Sequence, residues 1–153
     1  MEYVFESKIG NLKIKTESGK IVSLSLTNEK TSDEIKEKLV QSAIKELDEY
    51  FSGQRKTFSL PLNPKGTPFQ KRVWAELRKI PYGETVSYQE IALRLGNKNL
   101  TRAVGGANNK NPIIILIPCH RVIGKNGSLT GFACGVNIKE KLLDLEKTKV
   151  LYF

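Results

Sequence analysis

The sequence predicts an α/β protein in two parts. Residues 1–62 form a small N-terminal antiparallel β-sheet plus a helix, and residues 63–153 form a mainly α-helical part with a helix-turn-helix. Three observations predict this. The first 26 residues alternate apolar and polar, the period of half-buried strands. Apolar residues then recur every four positions, the period of a helix. A stretch rich in proline and glycine, Ser59 to Gly66, separates that helix from a second group of short helical patterns.

The elements follow in order. Leu12, Ile14 and Thr16 share one side of a strand, with Lys13, Lys15 and Glu17 on the other. Gly19-Lys20 turns the chain into the run Val22, Leu24, Leu26; Tyr3 to Glu6 is a third strand, closed by a turn at Ile9-Gly10-Asn11. Thr31-Ser32-Asp33-Glu34 has capping-box spacing and predicts a helix with Ile35, Leu39, Ala43, Leu47 and Phe51 inward and Gly53 at its end. Thr67-Pro68 opens a helix through Val73, Trp74 and Leu77, broken by Pro81-Tyr82-Gly83. Ser87-Tyr88-Gln89-Glu90 caps another that ends at Gly96, and a third short helix runs from Thr101 or Arg102 to Asn109. The last two form the helix-turn-helix pattern. Gly105 and Gly106 inside a helix cost about 1 kcal/mol each relative to alanine. Close approach of DNA, or tight packing on another helix, would justify that cost. Val122-Ile123 and Lys125-Asn126-Gly127 suggest a hairpin-like excursion. A last helix, Asn137 to Lys147, buries Ile138, Leu142 and Leu145.

With 39% hydrophobic and 27% charged residues, the composition describes a soluble globular protein. Its longest apolar run, Ile113 to Ile117, is far short of the roughly 18 residues that span a bilayer. The N-terminus lacks a secretory pattern, so a cytoplasmic location is expected, beside the nucleoid in a prokaryote. The net charge of +9 suggests a polyanionic partner, nucleic acid first; a solvated lysine-rich surface is the plainer alternative. Two cysteines and one histidine cannot build a disulfide scaffold or a four-ligand zinc site. No metal is expected, and the chain is expected to be a monomer.

The single histidine directly follows a cysteine in Pro118-Cys119-His120-Arg121-Val122, after the apolar run. A thiol becomes a nucleophile as the thiolate, and imidazole is the side chain suited to take its proton near neutral pH. Adjacent side chains diverge, so a bridging water is the expected proton route. The imidazole needs an orienting acceptor; Glu146 on the inner edge of the last helix is the first candidate and Glu140 the second. A buried structural thiol is the alternative.

The block Asn111 to Val122 closely resembles the active-site signature of the O6-alkylguanine-DNA alkyltransferases. The likeness extends through Pro81 to Tyr88, Thr101 to Ala107, Gly131-Phe132, Gly135, Lys139 and Glu146, with matching order and spacing. The resemblance implies a ribonuclease H-like N-terminal subdomain and a winged-helix-like C-terminal one. It implies repair of O6-methylguanine in duplex DNA, and less readily of O4-methylthymine, by single-turnover transfer of the alkyl group to Cys119 without a cofactor. His120 would be the base, oriented by Glu146; Tyr88 would donate to guanine N3, and Asn111 would brace the turn holding the cysteine. Phe132, Ala133, Ile123 and Arg121 would line the base pocket, with the carbonyls of Cys119 and Ile123 accepting from the guanine amino group. Arg102 would fill the stack left by the flipped nucleotide. Thr101, Ala103, Gly105 and Gly106 would meet the minor groove beside it. The target atom lies inside the duplex, so extrusion of the base is required. Phe132, Ala133 and Cys134 depart from the residues usual in that family, which bears on efficiency. The competing readings are a binding protein without transfer, which would carry tryptophan where Cys119 stands, a Cys-His hydrolase, and a helix-turn-helix regulator.

Overall fold

The computed structural model describes residues 1–124 and 136–148. Its first sheet is antiparallel in the order β1 (Glu2–Ser7), β2 (Gly10–Glu17), β3 (Lys20–Leu26). Glu17 pairs with Lys20, leaving Ser18 and Gly19 as the turn; their φ values of 50° and 75° match the twist of the flanking strands. Leu12, Ile14 and Thr16 are buried, as their alternation predicts. Helix α1 (Lys38–Phe51) contributes Val40, Ala43, Leu47 and Phe51 to the same core.

Helix α1 starts later than its capping-box pattern suggests. Ser32 pairs instead with Val4: its amide donates to the Val4 carbonyl (2.8 Å) and its Oγ accepts from the Val4 amide (2.9 Å). That pairing holds the residue next to the expected cap, Thr31, against β1 and keeps the segment out of a helix. Glu37 takes the cap position without a side-chain bond.

β3 uses its free edge twice. The Ile21 amide donates to the Pro61 carbonyl (2.9 Å) and the Asn63 amide to the Ile21 carbonyl (2.8 Å). Further along, the Leu24 amide donates to the Pro112 carbonyl (2.8 Å) and the Ile114 amide to the Leu24 carbonyl (3.1 Å). The supposed linker is thus partly paired, and the segment leading to Cys119 is stitched to the sheet.

Helix α2 (Pro68–Leu77) opens on a full capping box between Thr67 and Gln70. Its Trp74 donates from Nε1 to the Ala107 carbonyl (2.9 Å) in helix α4 (Thr101–Asn109). Helix α3 (Tyr88–Arg94) is capped by Ser87 and followed by Gly96 at φ 99°. The strand Val122–Ile123 (β5) pairs in parallel with Val86–Ser87 (β4). The expected excursion thus begins by pairing with the residues before α3; its turn, 125–127, lies outside the described residues. Helix α5 (Val136–Thr148) buries Lys139, Leu142, Leu145 and Glu146, while Ile138 is half-buried. One apolar core runs from Phe5 and Ile14 through Tyr50 and Trp74 to Ile117 and Leu145. Among the described residues no helix is long and apolar enough to cross a membrane.

Candidate active site

The apolar run before the cysteine is a buried turn. Asn111 closes it from inside: Oδ1 accepts from the Ile113 amide (3.0 Å) and Nδ2 donates to the Ile117 carbonyl (2.8 Å). The Ile117 amide reaches back to the Ile113 carbonyl (3.0 Å). This winding puts Ile115 at φ 70°, a left-handed conformation that costs a β-branched residue about 1–3 kcal/mol. Burial of the five side chains Ile113 to Ile117 opposes that strain.

Cys119, His120 and Arg121 follow as one 3₁₀ turn. Successive side chains there diverge by about 120°, so thiol and imidazole point apart. All three residues are buried. His120 Nε2 lies 2.5 Å from Glu146 Oε2, the same oxygen that accepts from the Tyr50 hydroxyl (2.6 Å) and Arg121 Nη2 (3.0 Å). Arg121 Nε donates to Glu146 Oε1 (2.8 Å). Burial alone would raise the Glu146 pKa, but the charges and hydrogen bonds of His120 and Arg121 outweigh it and bring the value down to about 2. An ionised carboxylate only accepts, so Nε2 of His120 carries hydrogen. In the neutral ring Nδ1 is then a bare acceptor, and this buried atom has no hydrogen-bond partner. Burial lowers the His120 pKa; Glu146 opposes the shift, and Arg121 and Lys139 add to it. These effects favour the neutral imidazole.

Tyr88 opens α3, near Cys119. Burial raises its pKa, and the neighbouring Cys119 charge adds to this, opposed by a hydrogen bond from Asn108. Asn108 also donates to the Cys119 carbonyl (3.4 Å). Lys139 is fully buried, donates from Nζ to the Val122 carbonyl (2.5 Å) and lies 5.8 Å from the centre of the Tyr88 ring. Burial lowers its pKa to about 8, with Cys119 opposing the fall.

The structure therefore gathers Cys119, His120, Glu146, Tyr88 and Asn111. Glu140 is exposed and is not the partner of His120. Arg121, expected in the base pocket, has its guanidinium on Glu146 and on the Ile80 carbonyl (2.8 Å). Ile123 is half-buried on β5. Phe132, Ala133 and Cys134 lie outside the described residues. Arg102, Ala103 and Gly106 lie exposed on α4, with Thr101 half-exposed and bonded to the Lys98 carbonyl (2.6 Å). A side chain added at Gly106 would meet nothing within 4 Å, and at Gly105 only the Tyr88 ring at 3.9 Å. Tight helix packing does not account for the two glycines.

Two site residues escape a sequence reading, Tyr50 and Asn108, while Lys139 enters it only as part of the resemblance, with no role attached. Lys139 left a signal, since it sits three residues before Leu142 and seven before Glu146 on the buried face. A lysine there needs a partner. Tyr50 and Asn108 meet partners set by tertiary packing alone.

Two family profiles match the chain: the 6-O-methylguanine DNA methyltransferase ribonuclease-like domain over residues 2–64 and the DNA-binding domain of the same protein over residues 68–148. The chain belongs to the 6-O-methylguanine DNA methyltransferase family. The methylated-DNA–protein-cysteine methyltransferase of Methanosarcina acetivorans is 46% identical, with 94% of this chain and 96% of that protein covered. The constitutive enzyme of that name from Bacillus subtilis is 47% identical, over 93% and 92%. The crystal structure of Mycobacterium tuberculosis OGT in complex with DNA superposes with a TM-score of 0.88 at 40% identity, over 99% and 95%. Membership carries the enzyme class: a DNA-binding repair protein that moves a methyl group from DNA to a protein cysteine.

Proposed function

We propose that this family member repairs O6-methylguanine in duplex DNA by transferring the methyl group to Cys119, once per molecule. The observation that carries the reading is the unpartnered Nδ1 of His120, a neutral base held by Glu146 beside the only described thiol. Nδ1 takes the Cys119 proton through a water, and the thiolate attacks the methyl carbon. A C–S bond forms as the C–O6 bond breaks, and the electron pair passes to the guanine ring. Tyr88 donates at N3, so guanine leaves neutral. The thioether is stable to water, which makes the reaction stoichiometric. No cofactor takes part.

The base reaches the thiol by leaving the helix. Helix α4 enters the minor groove, where Gly105 and Gly106 allow close approach and Arg102 occupies the gap. The open space beside Gly106 supports this. Ile123 lines the base pocket, and the protein acts as a monomer in the cytoplasm. O4-methylthymine, lacking the guanine amino group, reacts less readily.

Duplex DNA with labelled O6-methylguanine tests the proposal. Label should appear one-for-one in a peptide containing residue 119, and Cys119→Ala should bind the duplex without taking label. Methyl label on Cys119→Ala at the normal rate would remove the nucleophile assignment.

A further inference from the structure

Glu146 Oε2 accepts from two groups of its own half of the chain, His120 and Arg121, and from one of the other half, Tyr50. Tyr50 is fully buried on α1, its ring packed edge-on to Phe51 (5.5 Å) and Tyr82 (6.2 Å). It has no exposed surface through which to bond water. Its hydroxyl spans 96 positions of sequence to reach the carboxylate. A carboxylate oxygen that spends its lone pairs on a phenol has less charge to offer an imidazolium.

We propose that Tyr50 is a positioning residue for alkyl transfer: its phenol shares Glu146 Oε2 with His120 and so limits how strongly the carboxylate holds a protonated imidazole. The N-terminal half thereby tunes a base carried by the C-terminal half. The inference rests on the assignment of His120 as base to Cys119.

The groups facing this pair are Tyr50 from α1, Tyr82 from the turn after α2, Arg121 and Cys119 beside His120, and Lys139 from α5. Tyr82 feels the Glu146 charge but bonds the Leu145 carbonyl (3.5 Å). Burial and the adjacent Glu146 charge raise the Tyr50 pKa well above its usual value, so the phenol keeps its hydrogen and donates. Tyr50→Phe preserves the ring and removes that donor. The freed oxygen then binds imidazolium more tightly, and His120 holds its proton to higher pH. The acid limb of the transfer rate should move up by about half a pH unit, a rate about threefold lower, relative to the plateau, at pH values below the limb.

The experiment is single-turnover methyl transfer against pH, using duplex DNA with O6-methylguanine, on the full chain, Tyr50→Phe and Tyr82→Phe. Nuclear magnetic resonance titration of the sole histidine provides the same shift without relying on turnover. Tyr50→Phe should move both curves upward and Tyr82→Phe neither. In a Glu146→Gln background, Tyr50→Phe should leave the His120 titration unmoved. A uniform loss of rate with unshifted limb and unshifted titration would reduce Tyr50 to a packing residue and overturn the inference. Absence of methyl on Cys119 in the unsubstituted chain would overturn the site assignment itself, a separate result.

Discussion

Arg121 meets Glu146 at two points, Nε to Oε1 at 2.8 Å and Nη2 to Oε2 at 3.0 Å, inside a core where the carboxylate has almost no exposed surface. Removing one partner of such a pair leaves a buried charge uncompensated. Glu146→Gln should therefore lower unfolding free energy by about 3–5 kcal/mol, read by urea denaturation. It should also slow methyl transfer, since a neutral amide no longer stabilises the imidazolium that forms when His120 takes a proton. Full stability in the variant would show that the pair is worth little.

Acid should undo this site before the rest. The Glu146 pKa of about 2 lies below its ordinary 4.5, so its contribution is fully present above 4.5 and fades as pH falls toward 2. The shift corresponds to a stability on the order of 3 kcal/mol. His120, whose pKa is lowered from 6.5, adds loss of the same sign once pH drops beneath that value. Thermal melts from pH 7 to 3 should fall more steeply for the unsubstituted chain than for Glu146→Gln. Parallel curves would contradict the linkage.

Asn111 holds both ends of the strained turn around Ile115. Asn111→Ala strands the buried Ile113 amide and takes one of two donors from the Ile117 carbonyl, which keeps the Cys119 amide. The expected cost is about 1–3 kcal/mol, with a transfer rate that falls because Cys119 loses its support. Denaturation paired with single-turnover rates checks this; an unchanged rate would separate the brace from the chemistry.

Two glycines should respond in opposite ways. A Cβ at Gly66 would sit 2.5 Å from the Trp74 ring, so Gly66→Ala should destabilise the protein. Gly106 has open space, and Gly106→Ala should stabilise helix α4 by about 0.5–1 kcal/mol. The same methyl group should weaken binding to duplex DNA if α4 enters the minor groove. Unchanged affinity in a titration at fixed salt would move the groove contact elsewhere.

Arg102 is exposed on the first turn of α4. Arg102→Ala should slow repair of duplex by about tenfold, the equivalent of 1.4 kcal/mol in the barrier, and leave reaction with free O6-benzylguanine unchanged. Equal losses on both substrates would exclude a stack-filling arginine.

Strand alternation, the stripe of α1, the Thr67 cap and the limits of α4 were legible because local periodicity and capping chemistry dictate them. The start of α1 was not: Ser32, beside the expected cap Thr31, bonds to Val4 28 positions away and holds that segment on β1. Within the site, Cys119, His120 and Glu146 could be named from residue type and helix face. Tyr50, by contrast, looks in sequence like any core aromatic, since nothing near it reveals where its hydroxyl points. Arg121, expected in the base pocket, is instead enclosed by Ile80 and Glu146, partners far along the chain that sequence does not reveal.

The doubly used edge of β3 has a bearing on how this molecule can be cut. Cleaving the backbone just after Asn63 should leave a nicked but working pair of pieces, since Ile21 keeps the end of the first on the sheet and Leu24 grips the second. Discarding the first piece is another matter. The remaining fragment would keep its cysteine yet lose the backing for Pro112 to Ile114 and the phenol on its carboxylate, and would fall silent although every nucleophilic atom was still present.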